Sequence, residues 1–182
     1  MTTTVSCATA TDLTRASVLD VTRSWIGTPY HHQASALGTG TDCVGLVRGV
    51  YRTPYGREAE ALPGYSRDWA EATGDETLID AARRHLVEID PMTAGPTDVL
   101  VFRYRPRMAA KHTGILGCSP SPRPSRGEGW GEGRQQLPAP ILSMHNLTLI
   151  HALEGAPVSE VPFNDWWRRR IAAAFSFPGI SD

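Results

Sequence analysis

Thr41-Asp42-Cys43-Val44-Gly45-Leu46-Val47-Arg48-Gly49-Val50-Tyr51 is the stretch whose reading decides the fold. Val44, Val47, Val50 and Tyr51 recur at three- and four-residue spacing, which predicts an amphipathic helix from about Cys43 onward. Thr41 and Asp42 supply the polar capping chemistry that helix starts favour. Cys43 then occupies the first turn, where backbone N–H groups lack intrahelical partners and the positive end of the macrodipole favours an anion. An environment of that kind lowers a thiol from its usual pKa of about 8.5, and the thiolate is the attacking form. The same position also suits a small buried apolar side chain, the ordinary fate of a free cysteine. The local pattern leaves both readings open.

Upstream, Leu13 to Ile26 reads as a helix with Val18, Val21 and Trp25 on one side, ended by Gly27-Thr28-Pro29. Downstream, a polar and aromatic region runs from Pro54 through Tyr65 to Trp69. Asp75 to Leu86 then reads as a second amphipathic helix, with Leu78, Ala82 and Leu86 inward. The period changes after that. Runs at 97–104, 111–117, 147–153 and 158–161 are short, rich in β-branched or aromatic residues, and bounded by Gly, Pro and Asn, so they read as strands. A last run, Ile171 to Phe177, is expected to close the sheet. Helices first and consecutive strands second predict an α+β fold, with an antiparallel sheet packed against the helix that carries Cys43.

A chain of 182 residues suits one domain, read here as 1–182 with its core at about 13–177. A net charge of −1, with 20% charged and 41% hydrophobic residues, gives no electrostatic reason to expect nucleic acid as a partner. Cys7, Cys43 and Cys118 are an odd number with no CxxC spacing, which argues against a disulfide framework and against a cysteine-type zinc site. No metal and no cofactor are expected. The N-terminus lacks a basic start and an apolar run, and no segment approaches ~18 consecutive apolar residues. The expectation is cytoplasmic synthesis without a signal peptide and without a membrane span. Cys7 reads as incidental. Residues 118–140, dense in Pro, Gly, Ser and Arg, read as a flexible insertion in a hairpin connection that can bury almost nothing.

A nucleophilic cysteine needs a base, usually histidine, oriented by a third polar group. His112 and His151 each lie in an expected strand of the sheet facing the helix, and imidazole titrates nearest neutrality. Either alone could be a strand histidine without a chemical role. His145 competes with His151 for the third place; His151 is preferred because it sits inside a clear strand. His31 and His32 adjoin the Tyr30 turn and shape the cleft, and with Asp42 they are the candidate substrate-binding residues. His85, at the end of an amphipathic helix, reads as structural.

Gly27-Thr28-Pro29-Tyr30, Asp42-Cys43-x-Gly45-Leu46-Val47, Lys111-His112-x-Gly114-Ile115 and Ile150-His151-Ala152, taken in order, resemble the NlpC-type cell-wall cysteine peptidases, a compact papain-like family. His32-Gln33-Ala34-Ser35, Asp68-Trp69-Ala70-Glu71 and the run from Trp166 to Phe175 resemble the branch carried by phage tails and gene transfer agents. The resemblance implies Cys43 as nucleophile, His112 as general base, His151 as its orienting group, and Tyr30 with the Cys43 N–H at the oxyanion. It implies peptidoglycan stem peptides as substrate, cleaved typically between D-glutamate and a diamino acid. Phage-like tail proteins are the implied partners, with action on the cell wall from a phage-like particle.

The family pattern is broken at two places. His31-His32-Gln33 stands where a Trp-Gly-Gly-like stretch is usual, and Val44 stands where serine usually follows the cysteine, so contacts made by that serine do not transfer. Two other functions fit the same residues: a structural tail component that keeps the fold without turnover, and a thiol amidase or acyltransferase acting on another substrate. Trp166 and Trp167 read as sealing the sheet edge, with Arg168 to Arg170 solvated.

Overall fold

A computed structural model describes residues 13–60, 75–119 and 146–181. The element order is α1 (Arg15–Ser24), β1 (Ser35–Ala36), β2 (Gly40–Thr41), α2 (Cys43–Tyr55), α3 (Thr77–His85), β3 (Val87–Ile89), β4 (Val99–Phe102), β5 (His112–Cys118), β6 (Leu147–His151), β7 (Ser159–Pro162), α4 (Asp165–Arg168) and β8 (Ile171–Ser176). Both long N-terminal helices begin on side-chain caps. Thr14 and Ser17 form a reciprocal capping box at α1, and Asp42 accepts from the Gly45 N–H at α2. Helix α2 ends at Gly56, whose φ of 63° supplies the left-handed turn that glycine adopts without steric penalty.

The six-stranded sheet runs β3-β8-β4-β5-β6-β7, with every neighbouring pair antiparallel. The α+β expectation holds, and so do the five expected strands. The last run does not close the sheet at an edge, however. Strand β8 lies between β3 and β4, because Ala173, Ala174 and Phe175 are apolar enough to be covered on both faces, whereas β3 is largely exposed and takes the edge. Strand β3 itself was not anticipated: three residues directly after α3 are too few to show a period.

Strand β4 is buried along its whole length, and alternation divides its side chains between two cores. Val99 and Val101 join Ile115, Leu46, Val50 and Trp25 on the side covered by α1 and α2. Leu100 and Phe102 join Leu116, Leu149, Phe163 and Trp167 on the opposite side. Gly49 lets α1 and α2 meet closely, since a Cβ there would lie 2.1 Å from Trp25 Cζ2. The C-terminal end is tied to the start of α1 through Arg15 N–H to Ser181 O and Ser181 N–H to Leu13 O. Cys7, Tyr65, Trp69, Asp68 to Glu71, His145 and nearly all of the 118–140 insertion lie outside the described residues.

Candidate active site

The site begins with a turn. Backbone hydrogen bonds pair Thr41 with Pro29 and His31, and Gln33 takes a φ of 64°, which aims its N–H at Asp42 Oδ2, 2.7 Å away. The other carboxylate oxygen accepts from Gly45 N–H at 2.8 Å, so one buried aspartate fixes the incoming turn and caps α2 together. Gly45 must be a glycine here: a Cβ would stand 1.9 Å from the Ala34 carbonyl oxygen. Cys43 therefore enters the first helical turn on a backbone held from both sides.

The thiol of Cys43 receives backbone N–H groups from Thr113, Val44 and its own residue. Thr113 belongs to β5, so the tip of α2 meets the start of the strand that carries His112. Nε2 of His112 lies 3.1 Å from Nδ1 of His151, and both imidazoles are buried. These histidines do not sit on the face covered by α1 and α2, as the sequence suggested. Register pairs His112 with Phe102, and alternation places His151 on the side of Leu149, so both belong to the face of Phe102 and Trp167. His112, the first residue of β5, lines the same cleft as Cys43, and His151 stands behind it, outside the lining.

A cleft of about 180 Å³ gathers Tyr30, His32, Asp42, Cys43, Val44, Tyr104, Lys111, His112, Ala152, Leu153 and Glu154. Most of the candidates thus converge. His31 does not join them: it is exposed, and its ring lies against Gly40, where a Cβ would fall 2.6 Å from His31 Cδ2. Asp42 is occupied mainly by the two backbone N–H groups, with His32 Nδ1 3.7 Å from its Oδ2. His85 packs against Tyr51 with Nε2 3.1 Å from Glu60 Oε2, away from the cleft, in keeping with a structural role. Val44 lines both this cleft and a smaller apolar cavity, of about 70 Å³, between α2 and α3.

Electrostatics reverse one expectation. Burial, followed by the neighbouring Asp42 carboxylate, pushes the Cys43 thiol up to about 12, although the three N–H groups act in the opposite direction. Burial, followed by the His151 ring, pushes His112 down to about 3, and burial also lowers His151. The helix N-terminus does not overcome desolvation plus an adjacent carboxylate. These directions favour a neutral thiol and neutral imidazoles at rest. The N–H groups are then poised for a thiolate formed during attack rather than before it.

The sequence also missed the aromatic housing of the pair. Trp167 lies nearly parallel to the His112 ring at 5.7 Å and edge-on to His151 at 5.0 Å, while Tyr104 stacks on His112 at 5.9 Å. Trp167 was expected to seal the sheet edge; it packs instead on the sheet face that carries the histidines. Asn164, which caps the short helix α4 through Trp166 and Trp167 N–H, was the available signal for Trp167. Tyr104 continues the alternation of Phe102 beyond β4. Among the described residues, no helix is long and apolar enough to cross a membrane, and no group of three or more His, Cys, Asp or Glu could hold a metal ion.

The fold formed by this site has known counterparts. The crystal structure of the NlpC/p60 domain of the peptidoglycan hydrolase SagA superposes with a TM-score of 0.50 at 21% identity, covering 91% of this chain and 100% of that one. The fold is the papain-like NlpC/p60 fold. A protein of Staphylococcus aureus subsp. aureus Mu50, described as similar to a lipoprotein of the NLP/P60 family, gives a TM-score of 0.47 at 19% identity, over 99% of this chain and 46% of that one. No protein-family profile matches the sequence, and no curated protein sequence matches it.

Proposed function

We propose that this chain is a cysteine endopeptidase that cleaves amide bonds in peptidoglycan stem peptides through an acyl-enzyme on Cys43. The observation that carries the proposal is the convergence, at one cleft, of a helix-start cysteine facing three backbone N–H groups with His112, whose ring is hydrogen-bonded to His151 behind it. An NlpC/p60 fold shared with a peptidoglycan hydrolase domain supports the choice of substrate.

The chemistry follows from the neutral resting state. Nε2 of His112 is engaged by His151, which leaves Nδ1 as the atom that takes the thiol proton. As that proton moves, Sγ attacks the carbonyl carbon, and the resulting oxyanion is stabilised by the Cys43 N–H and Tyr30. Collapse expels the amine, which takes the proton from His112. A water then loses a proton to His112, attacks the thioester, and releases the carboxylic acid and the Cys43 thiol. Val44 offers no hydrogen bond to the substrate, so recognition falls to other groups of the cleft.

The whole chain, 1–182, acts in this reading as one peptidase domain working on the cell wall as part of a phage-like tail. That setting is supported by the resemblance of His32 to Ser35 and of Trp166 to Phe175 to the phage-tail branch. Incubating purified protein with cell-wall sacculi tests the activity. New amino termini and defined muropeptides are expected from the wild type, and none from Cys43→Ala. Undiminished release by a folded Cys43→Ala protein would overturn the mechanism.

A further inference from the structure

Arg170 differs from the other well-placed arginines. Arg23 pairs with Glu160, Arg48 and Arg52 with Glu58, Arg83 with Glu88, Arg84 with Glu60, and Arg103 with Glu76. The guanidinium of Arg170 instead lies flat on Trp166, its Cζ 3.9 Å from the ring centroid, and Nη1 donates to the Trp166 carbonyl at 2.8 Å. Among the described residues, no carboxylate pairs with it. Stacking covers the weakly hydrated face of a guanidinium and leaves its N–H edges outward. With Nη1 used on the carbonyl, the Nε and Nη2 edge remains, and this fork can donate in parallel to the two oxygens of a carboxylate.

The position adjoins the cleft through Tyr104. Trp166 is 46% exposed and its ring stands 6.1 Å from Tyr104, which lines the cleft and stacks on His112. Burial and then Cys43 push the Tyr104 hydroxyl up to about 12, and the charge of Arg170 reaches the same hydroxyl and acts in the opposite direction, as a nearby cation does. Lys111 adds positive charge to the cleft and Glu154 negative charge, both among its lining residues. A fixed cation beside an aromatic wall, one ring from the base, is a built receptor for an anion on the substrate. A planar carboxylate fits a single fork, whereas a phosphodiester polymer calls for several cations.

We propose that Arg170, held by Trp166 beside Tyr104, binds a free carboxylate of the amide substrate and so selects anionic over amidated peptides. This rests on the peptidase reading above. The test compares the tripeptide Ala-γ-D-Glu-Lys with the same peptide carrying an α-carboxamide on its D-Glu residue, in wild type and Arg170→Gln. A charge-assisted pair predicts about ten- to hundredfold preference for the carboxylate in wild type, collapsing toward unity in Arg170→Gln. A second measurement needs no turnover: the alkylation rate of Cys43 by bromoacetyl-glycine relative to bromoacetyl-glycinamide, expected to fall about tenfold in Arg170→Gln. Equal hydrolysis of both tripeptides by wild type, with an alkylation ratio unmoved by the substitution, would overturn the carboxylate site and leave the peptidase intact. Hydrolysis of neither tripeptide would count against the peptidase, and the alkylation ratio would then decide the carboxylate site alone.

Discussion

Nε2 of His112 stands 3.1 Å from Nδ1 of His151, and the two rings are inclined at 80°. For His112 to accept a proton at Nδ1, its own hydrogen must sit on Nε2 and be donated to His151 Nδ1, which obliges His151 to keep its hydrogen on Nε2. His151 thus fixes a tautomer as well as a ring angle. His151→Ala is expected to lower kcat about ten- to hundredfold with little change in KM, within the range of a general base left unoriented. His151→Asn, whose amide oxygen can still accept, should retain more activity than the alanine variant. Steady-state kinetics on a stem-peptide substrate check this, and equal losses in the two variants would contradict the orienting role.

A resting thiol gives a different reactivity profile from a preformed thiolate. With Cys43 pushed up to about 12 by burial and then by Asp42, its alkylation by iodoacetamide should keep climbing above pH 9, without a plateau in the neutral range. Asp42→Asn removes the charge while keeping an amide oxygen able to cap α2, and should shift the profile to lower pH. The measurement is the second-order rate against pH in a chain whose other two cysteines are serine. A plateau below pH 7 in the parent chain would show a thiolate–imidazolium pair at rest.

Trp167 holds the histidines dry. The residue is 9% exposed, and its ring centroid lies 5.7 Å from that of His112 and 5.0 Å from that of His151. Truncation to alanine should destabilise the fold by about 3 to 5 kcal/mol. Trp167→Phe keeps most of the packing but opens a path for water, so the His112 pKa should rise from its depressed position toward the ordinary imidazole range. Chemical denaturation gives the first quantity, and proton NMR titration of the imidazoles gives the second.

The helical half of this architecture was legible because periodicity, caps and breakers agree: buried Val50 and Tyr51 with half-buried Val44 and Val47 mark the inward side, Asp42 the start and Gly27 the preceding stop. The convergence of Cys43, His112, Tyr30, His32 and Asp42 on one cleft, with His151 behind His112, was legible from residue type and order. The face on which the histidines lie was not, since strand alternation is blind to which side a helix will cover. The resting charge state escaped for a related reason: helix polarity is written locally, whereas the burial opposing it comes from β5 and its surroundings, about 70 residues away in sequence. Trp167 was hidden because its partners are rings from three different strands or loops.

Gly45 is the position where the site and the fold are least separable. A methyl group there would meet the Ala34 carbonyl oxygen at 1.9 Å and Thr41 Oγ1 at 2.8 Å, and the former is backbone that cannot rotate away. Gly45→Ala should lower stability by about 3 kcal/mol or more, the upper part of the overpacking range, despite alanine's better helix propensity. Denaturant midpoints should fall while an exposed helical substitution such as Thr53→Ala changes them little.

Stability should depend on pH on both sides of neutrality, and the signs follow from the two shifts. His112 is depressed to about 3 from an ordinary imidazole value of 6.5, so the folded state resists a proton that the unfolded chain binds. Its contribution is therefore present above pH 6.5 and is lost as pH falls toward 3. Cys43 is raised from 9.0 to about 12, so the folded state keeps a proton that the unfolded chain releases. That contribution is present below pH 9 and is lost as pH rises toward 12. Each group acting alone gives a slope of at most about 1.4 kcal/mol per pH unit. Urea midpoints measured from pH 3 to 11 should form a plateau between roughly pH 6.5 and 9, set by the ordinary pKa values of the two groups. Cys43→Ala should flatten the alkaline fall, and His112→Gln should flatten the acid one. If both variants keep the parent's slopes, the two groups are not held neutral by burial.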